Sequence, residues 1–167
     1  GYAYTPALYR DGALCGAICT PISYSAGVLV FNVTRFSNYT SGANSQLNIT
    51  DETDTVTKYT NQQVRFFANY TNKTSGSSIN GSGINCSITF NISGGWTPAV
   101  NMTFNSSSLR YEYNRTFADA GTFNWNVSCN GSSAGYEPLN TTDTVMISTA
   151  SLTLPGPQNG TGVDRDN

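Results

Sequence analysis

Ile84-Asn-Cys-Ser-Ile-Thr-Phe-Asn-Ile-Ser93 alternates apolar and polar residues without a break. Side chains of a β-strand point to opposite faces in turn. Ile84, Cys86, Ile88, Phe90 and Ile92 therefore share one face, and Asn85, Ser87, Thr89, Asn91 and Ser93 the other. A strand of this kind has a core on one side and water on the other. Phe123-Asn-Trp-Asn-Val-Ser-Cys129 repeats the pattern, with Phe123, Trp125, Val127 and Cys129 on the apolar face. Val100, Met102 and Phe104 alternate with Asn101, Thr103 and Asn105, and Leu109, Tyr111 and Tyr113 with Arg110, Glu112 and Asn114. Residues 64–72, with Val64, Phe66, Ala68 and Tyr70 inward, and residues 144–147 read as further strands. Gly- and Ser-rich clusters at residues 75–78, 81–83, 93–95 and 131–135 separate these runs as turns. No segment carries an apolar stripe at helical spacing. The pattern predicts an all-β fold, an antiparallel β-sandwich.

The polar faces carry a second pattern. The acceptor motif for N-glycosylation, Asn-x-Ser/Thr, occurs at Asn32, Asn38, Asn48, Asn69, Asn72, Asn80, Asn85, Asn91, Asn101, Asn105, Asn114, Asn126, Asn130, Asn140 and Asn159. That takes 15 of the 19 asparagines, where chance placement against 41 Ser and Thr gives about five. A branched glycan cannot enter a packed core, so sequons on the polar face of each strand support both readings together. Asn85, Asn91, Asn101, Asn114 and Asn126 are expected among the occupied sites. Charged residues make up only 11% of the 167 residues, against roughly a quarter in an ordinary soluble domain. Glycan in place of charge as the solubilising layer predicts an extracellular or cell-surface protein with N-linked glycans.

Eight Lys and Arg, ten Asp and Glu and no His give a net charge of −2. Nucleic-acid partners need clustered cations, which this balance excludes. The absence of imidazole removes the triads and metal sites that depend on it. Four cysteines, an even number, fit two disulfides and an oxidising compartment. Cys15 and Cys19 would close a small ring if they pair; Cys86 and Cys129 lie far apart in strand-like runs. No run of 18 apolar residues exists, so no membrane span is expected.

Residues 64–148 resemble the immunoglobulin-like superfamily, including the related domains of archaeal and bacterial surface proteins. Cys86 and Cys129 stand where its two inter-sheet cysteines would, Trp96 follows the first by ten residues, and Asp119-Ala-Gly-Thr-Phe-Asn-Trp leads into the second. Phe123 replaces the corner tyrosine and lies six residues before Cys129. The resemblance implies an immunoglobulin-like β-sandwich over residues 26–155, stapled between its sheets by Cys86–Cys129, with Cys15 then pairing with Cys19. It speaks to fold and barely to function.

Residues 1–25 read as a strand-forming N-terminal extension, and residues 156–167 as a polar tail. Tyr2, Tyr4 and Tyr9 crowd the start, and Ala26-Gly-Val-Leu-Val-Phe-Asn-Val33 is apolar at nearly every position, as in a strand buried on both faces. One reading is an extra hairpin added to one sandwich. The sharper reading is strand donation into a groove of a neighbouring copy, with Tyr2, Tyr4, Val28, Val30 and Phe31 as assembly residues. The design is similar to that of donor-strand-exchanging pilus subunits and of archaeal thread-like and bundling filaments. It implies a head-to-tail homopolymer, a structural filament subunit. Residues 1–10 and 22–33 both remain candidates for the donated piece. The alternative is an immunoglobulin-like adhesin or carbohydrate-binding domain of a larger cell-surface glycoprotein.

Catalysis has the least support. Asp51, Glu52 and Asp54, and Asp164, Asp166 and Asn167, offer oxygens for Ca²⁺, but neither run has the Gly and Glu positions of an EF-hand loop. Glu112 and Glu137 stand alone at strand-exposed or loop positions, and a serine nucleophile would have only Lys58 or Lys73 as a base. The expectation is no enzyme activity, no cofactor and no resident metal.

Overall fold

The computed structural model describes Tyr2 and residues 4–150. The sequon at Asn159, the tail 156–167 with Asp164, Asp166 and Asn167, and residues 151–155 of the expected sandwich lie outside the described residues.

The chain opens with five short strands: Ala7–Arg10 (β1), Ala13–Leu14 (β2), Cys19–Ser25 (β3), Val28–Val33 (β4) and Tyr39–Gly42 (β5). Two-residue turns make both of the first hairpins. Asp11 and Gly12 join β1 to β2 at φ 52° and 83°, and Ala26 and Gly27 join β3 to β4 at φ 49° and 81°. Positive φ at both central positions matches the right-handed twist of the strands, and glycine takes the second without steric cost. β2, β1 and β5 form a three-stranded antiparallel sheet, while among the described residues β3 and β4 pair only with each other. Leu8, Cys15 and Cys19 are buried between these two layers, with Ile18, Leu29, Phe31 and Tyr39 packed around them. The Cys15–Cys19 disulfide closes the ring within this small core.

Ten more strands follow: Ser45–Asp51 (β6), Lys58–Tyr59 (β7), Gln63–Asn72 (β8), Asn85–Ile92 (β9), Gly95–Trp96 (β10), Val100–Asn101 (β11), Thr103–Asn105 (β12), Arg110–Thr116 (β13), Gly121–Asn130 (β14) and Leu139–Ser148 (β15). They make two sheets. One has the order β10-β9-β14-β15-β7, with β11 also on β9; the other runs β12-β13-β8-β6. The pairings are antiparallel except β15 with β7, where Ile147 and Ser148 run parallel to Lys58 and Tyr59.

The sheets pack face to face through aromatic rings. Phe66 of β8 meets Phe90 of β9 at 4.9 Å and Trp125 of β14 at 5.0 Å between ring centroids. Val64, Phe66, Ala68, Cys86, Ile88, Trp125, Val127, Cys129 and Val145 are completely buried. At about 1.5–3 kcal/mol for each large side chain removed from water, these rings and aliphatic residues are the main cohesive force. The fold is therefore all-β and antiparallel, with two packed sheets and alternating strands, as the periodicity predicts.

Three expectations need correction. Cys86 and Cys129 are bonded, but within one sheet. β9 and β14 are adjacent strands whose register sets the two cysteines directly opposite, with Cα atoms 4.0 Å apart. The bond is thus not an inter-sheet staple. Trp96, which the resemblance matched by its spacing after Cys86, is 51% exposed on an edge strand, and Trp125 fills the core. Val28 and Val30 are exposed because, among the described residues, no other strand pairs with the β3–β4 hairpin or covers its outer face. Only Leu29 and Phe31 of that run pack on the small core.

Candidate functional site

The sequons can now be placed. Of the 14 in the described residues, none has a buried asparagine: ten are exposed, and Asn72, Asn91, Asn105 and Asn126 are half-buried. The outer face of the β9–β14–β15 sheet carries Asn85, Asn91, Asn126, Asn130 and Asn140, alternating with the buried face behind them. On the other sheet Asn48 and Asn69 stand directly opposite each other, as Asn85 and Asn130 do beside the disulfide. Asn130 has its Oδ1 fixed by the Ser132 backbone N–H at 3.0 Å and hydroxyl at 2.6 Å, a local turn that bends the sequon back on itself.

The second candidate surface is the β3–β4 hairpin. Residues 12–34 contain no charged residue. Val28 and Val30 project away from the small core, at 61% and 44% exposure, and Ile22, the unpaired residue of a bulge between Pro21 and Ser23, is 58% exposed. The loop after β4 carries Phe36 fully exposed. Of the residues expected to serve assembly, Val28 and Val30 lie on this open face, whereas Phe31 turns inward against Tyr39, 5.8 Å between rings. Tyr2 and Tyr4 are held by their own chain. The Tyr2 hydroxyl donates to the Ser41 carbonyl at 2.8 Å, its carbonyl accepts from Tyr24, and the Tyr4 hydroxyl donates to Ser132 at 2.6 Å. A cavity of about 240 Å³ between β1, the Cys15–Cys19 ring and Asn44, Asn72 and Tyr136 marks where this N-terminal module meets the sandwich.

The acidic run does converge, with a partner the sequence did not indicate. Carboxylate oxygens of Asp51, Asp54 and Asp143 of β15 lie within 4.8 Å of one another. Glu52 is drawn away, to Lys58 and Arg65 at 2.7 Å each. Asp51 uses both oxygens within the protein: Oδ1 accepts from the Thr53 N–H and hydroxyl, and Oδ2 from Trp125 Nε1 at 3.2 Å. Asp54 accepts from the Asp51 N–H, which completes a capping box around the turn Glu52–Asp54. Ca²⁺ needs six to eight oxygen ligands, and here the lone pairs of the central carboxylate already serve the fold. Burial pushes the Asp51 carboxyl up against the lowering effect of the Thr53 bonds.

Glu112 accepts from the Ser108 hydroxyl and Asn105 amide, at 2.6 and 3.1 Å, so it is tied into a turn. The Glu137 carbonyl receives the Tyr70 and Ser45 hydroxyls. Glu112 is thus engaged through its carboxylate, whereas Glu137 is engaged through its backbone, and among the described residues its Oε2 is buried without a hydrogen-bond partner. Beside the acidic turn, Arg110 stacks on Phe67 at 4.2 Å in a shallow cleft of about 400 Å³ that also includes Arg65.

No protein-family description, curated protein or solved structure matches the chain. The chain has an all-β fold with two disulfides, and no helix among the described residues is long and apolar enough to cross a membrane.

Proposed function

We propose that the protein is a structural subunit of an extracellular, N-glycosylated filament, assembled head to tail by strand complementation, with the β3–β4 hairpin as the piece presented to the next copy. One observation carries this reading: a charge-free, two-stranded ribbon leaves Ile22, Val28 and Val30 in water. Natural proteins guard such ribbons with charge, proline, a bulge or a covering element, because unpaired strand edges recruit other strands; Pro21 and the bulge after it interrupt β3, and β4 has neither charge nor proline. The hairpin lacks charge on either strand, and Asn32, the one sequon on it, lies on the face of Val28 and Val30 at the far end of β4, so a glycan there borders the apolar patch and leaves its turn end bare. Of the two candidate donor pieces, the hairpin is favoured over the N-terminal strand, since β1 pairs with β5 and both tyrosines bond to their own chain. The two disulfides are compatible with an extracellular setting.

The alternative, an adhesin or carbohydrate-binding domain, would draw on exposed Trp96. Its cross-strand partner is the sequon Asn91, so the protein's own glycan would lie over that ring.

The test is the full chain with Ile22→Thr, Val28→Thr and Val30→Thr together. Threonine keeps the β-branched shape and strand preference while adding a hydroxyl. Loss of fibres with an unchanged circular dichroism spectrum supports the reading. Fibres from the triple variant at the native yield overturn it.

A further inference from the structure

We infer that the sequons fall into two classes by the state of the side-chain amide: Asn72, Asn105 and Asn126 are structural and stay unmodified, and the glycans sit on sequons whose Nδ2 is free. The inference rests on the glycoprotein reading above and assigns its sites.

The chemistry sets the criterion. In N-glycosylation the amide nitrogen attacks the anomeric carbon of an activated glycosyl phosphate. The C–N bond forms, the C–O bond to phosphate breaks, the phosphate leaves with the bonding pair, and one amide proton passes to a base of the transferase. Nδ2 keeps a single N–H and gains a bulky substituent. An amide with both donors engaged cannot accept this without giving up a bond, and one with a single bond must fit the glycan beside that partner while its oxygen keeps the amide from turning.

Asn126, expected from its strand face to be occupied, is the clearest case against that expectation. Its Nδ2 donates across the strand pair to the Thr141 carbonyl at 3.0 Å and to the Thr142 hydroxyl at 3.1 Å. It lies half-buried in the middle of β14, and modification removes at least one of those two bonds. Asn105 closes a turn: Oδ1 accepts from the Ser107 and Ser108 N–H groups, and Nδ2 donates to Glu112 Oε1. The Ser108 hydroxyl, outweighing burial and joined by the Asn105 amide, holds the Glu112 carboxyl below its usual range. The Asn105 bond therefore runs to an ionised acceptor and is of the stronger kind. Asn72 repeats the design: Oδ1 accepts from the Thr74 and Ser75 N–H groups, and Nδ2 donates to the Tyr136 hydroxyl at 3.1 Å. In both turns the fixed Oδ1 prevents the amide from rotating its nitrogen outward.

Among the described residues the other eleven sequons differ. Only Asn80 donates from Nδ2, to the Ser78 carbonyl at 3.4 Å and from an exposed turn. Asn130 has its oxygen fixed and its nitrogen free, the arrangement opposite to that of Asn126.

Glycopeptide mass spectrometry of the folded native protein tests the division site by site. A matched set of variants breaks sequons at the hydroxyl and leaves the amides intact. Thr74→Ala, Ser107→Ala and Ser128→Ala are expected to leave the intact mass unchanged but for the substitution. Thr34→Ala, Thr50→Ala and Thr71→Ala are each expected to remove one glycan. Asn126→Ala is expected to lower the thermal midpoint where Ser128→Ala does not, which a merely unused sequon would not produce. Glycan on Asn72, Asn105 or Asn126 at the level of the other sites overturns the inference and leaves the glycoprotein reading standing. A chain bare at every sequon overturns the glycoprotein reading itself.

Discussion

Replacing Asp51 by alanine removes a carboxylate that joins the two sheets. Asp51 ends β6, is 4% exposed and accepts from the indole N–H of the fully buried Trp125 in the opposite sheet. Its other oxygen caps the turn Glu52–Asp54 through Thr53. Losing the cap costs about 1 kcal/mol. An indole N–H left buried without a partner costs about 1–3 kcal/mol. Alanine also relieves the burial of a carboxylate, which offsets about 1 kcal/mol. The net loss is about 2 kcal/mol, and at roughly 2–4 °C per kcal/mol for a chain of this size the midpoint falls by about 4–8 °C. The pH dependence gives a second, independent reading. Burial raises the Asp51 carboxyl in the folded state despite the Thr53 bonds, so its contribution is full below the ordinary carboxylate range. That contribution is lost as pH rises through the raised value. Thermal unfolding followed by near-ultraviolet circular dichroism at several pH values measures both effects. The gap between native protein and Asp51→Ala is widest in acid and narrows toward neutrality. A midpoint change under about 1 °C, or a gap that widens as pH rises, refutes the reasoning.

The two disulfides differ in weight. In the chain-entropy relation the separation of 43 between Cys86 and Cys129 corresponds to about 4 kcal/mol, and the separation of 4 between Cys15 and Cys19 to about 2 kcal/mol. Denaturant titration of the two double-alanine variants checks the order, and a larger loss from Cys15 and Cys19 contradicts it. Glu52 responds to acid in the opposite sense to Asp51: burial pulls its carboxyl up, but the bonds from Lys58 and Arg65 outweigh this and hold it at about 2. Its stabilisation is complete above about 4.5 and disappears as pH falls through about 2. Urea titrations between these values are expected to show a shallower loss for Glu52→Gln than for the native chain; equal slopes would remove Glu52 from the account.

The strand faces were legible in the sequence because a period of two needs no knowledge of neighbours. Val64, Phe66, Ala68 and Tyr70 all face the core as the alternation predicts, and so do Cys86, Ile88, Phe90, Trp125 and Val127. Pairing is a different matter. Alternation put Cys86 and Cys129 inward but said nothing of which strands adjoin, so the resemblance supplied an inter-sheet bond where β9 and β14 are neighbours. Val100, Met102 and Phe104 read as one strand, yet Val100 lies on β9 and Phe104 on β13. The chain changes sheets at the buried Met102, a bend that a simple alternation cannot show. In the acidic turn, Asp143 joins Asp51 and Asp54 from 89 residues beyond Asp54, a distance no local motif spans. The uniform apolar character of residues 26–33 suggested burial on both faces, and one of those faces is open. Composition records how much surface a strand would bury, and the fold decides whether anything within the same chain covers it.

The open face of the hairpin makes assembly the property to measure. Ile22, Val28 and Val30, at about 100 Å² each, would contribute roughly 7 kcal/mol if covered, of the order of the cost of bringing two copies together. The most direct measurement is electron microscopy of the native protein, with intact-mass analysis of the same sample. Unbranched fibres of uniform diameter are expected, built of this chain at a mass well above 17.9 kDa. A monodisperse monomer at high concentration, with a mass equal to that of the bare polypeptide, would contradict that expectation.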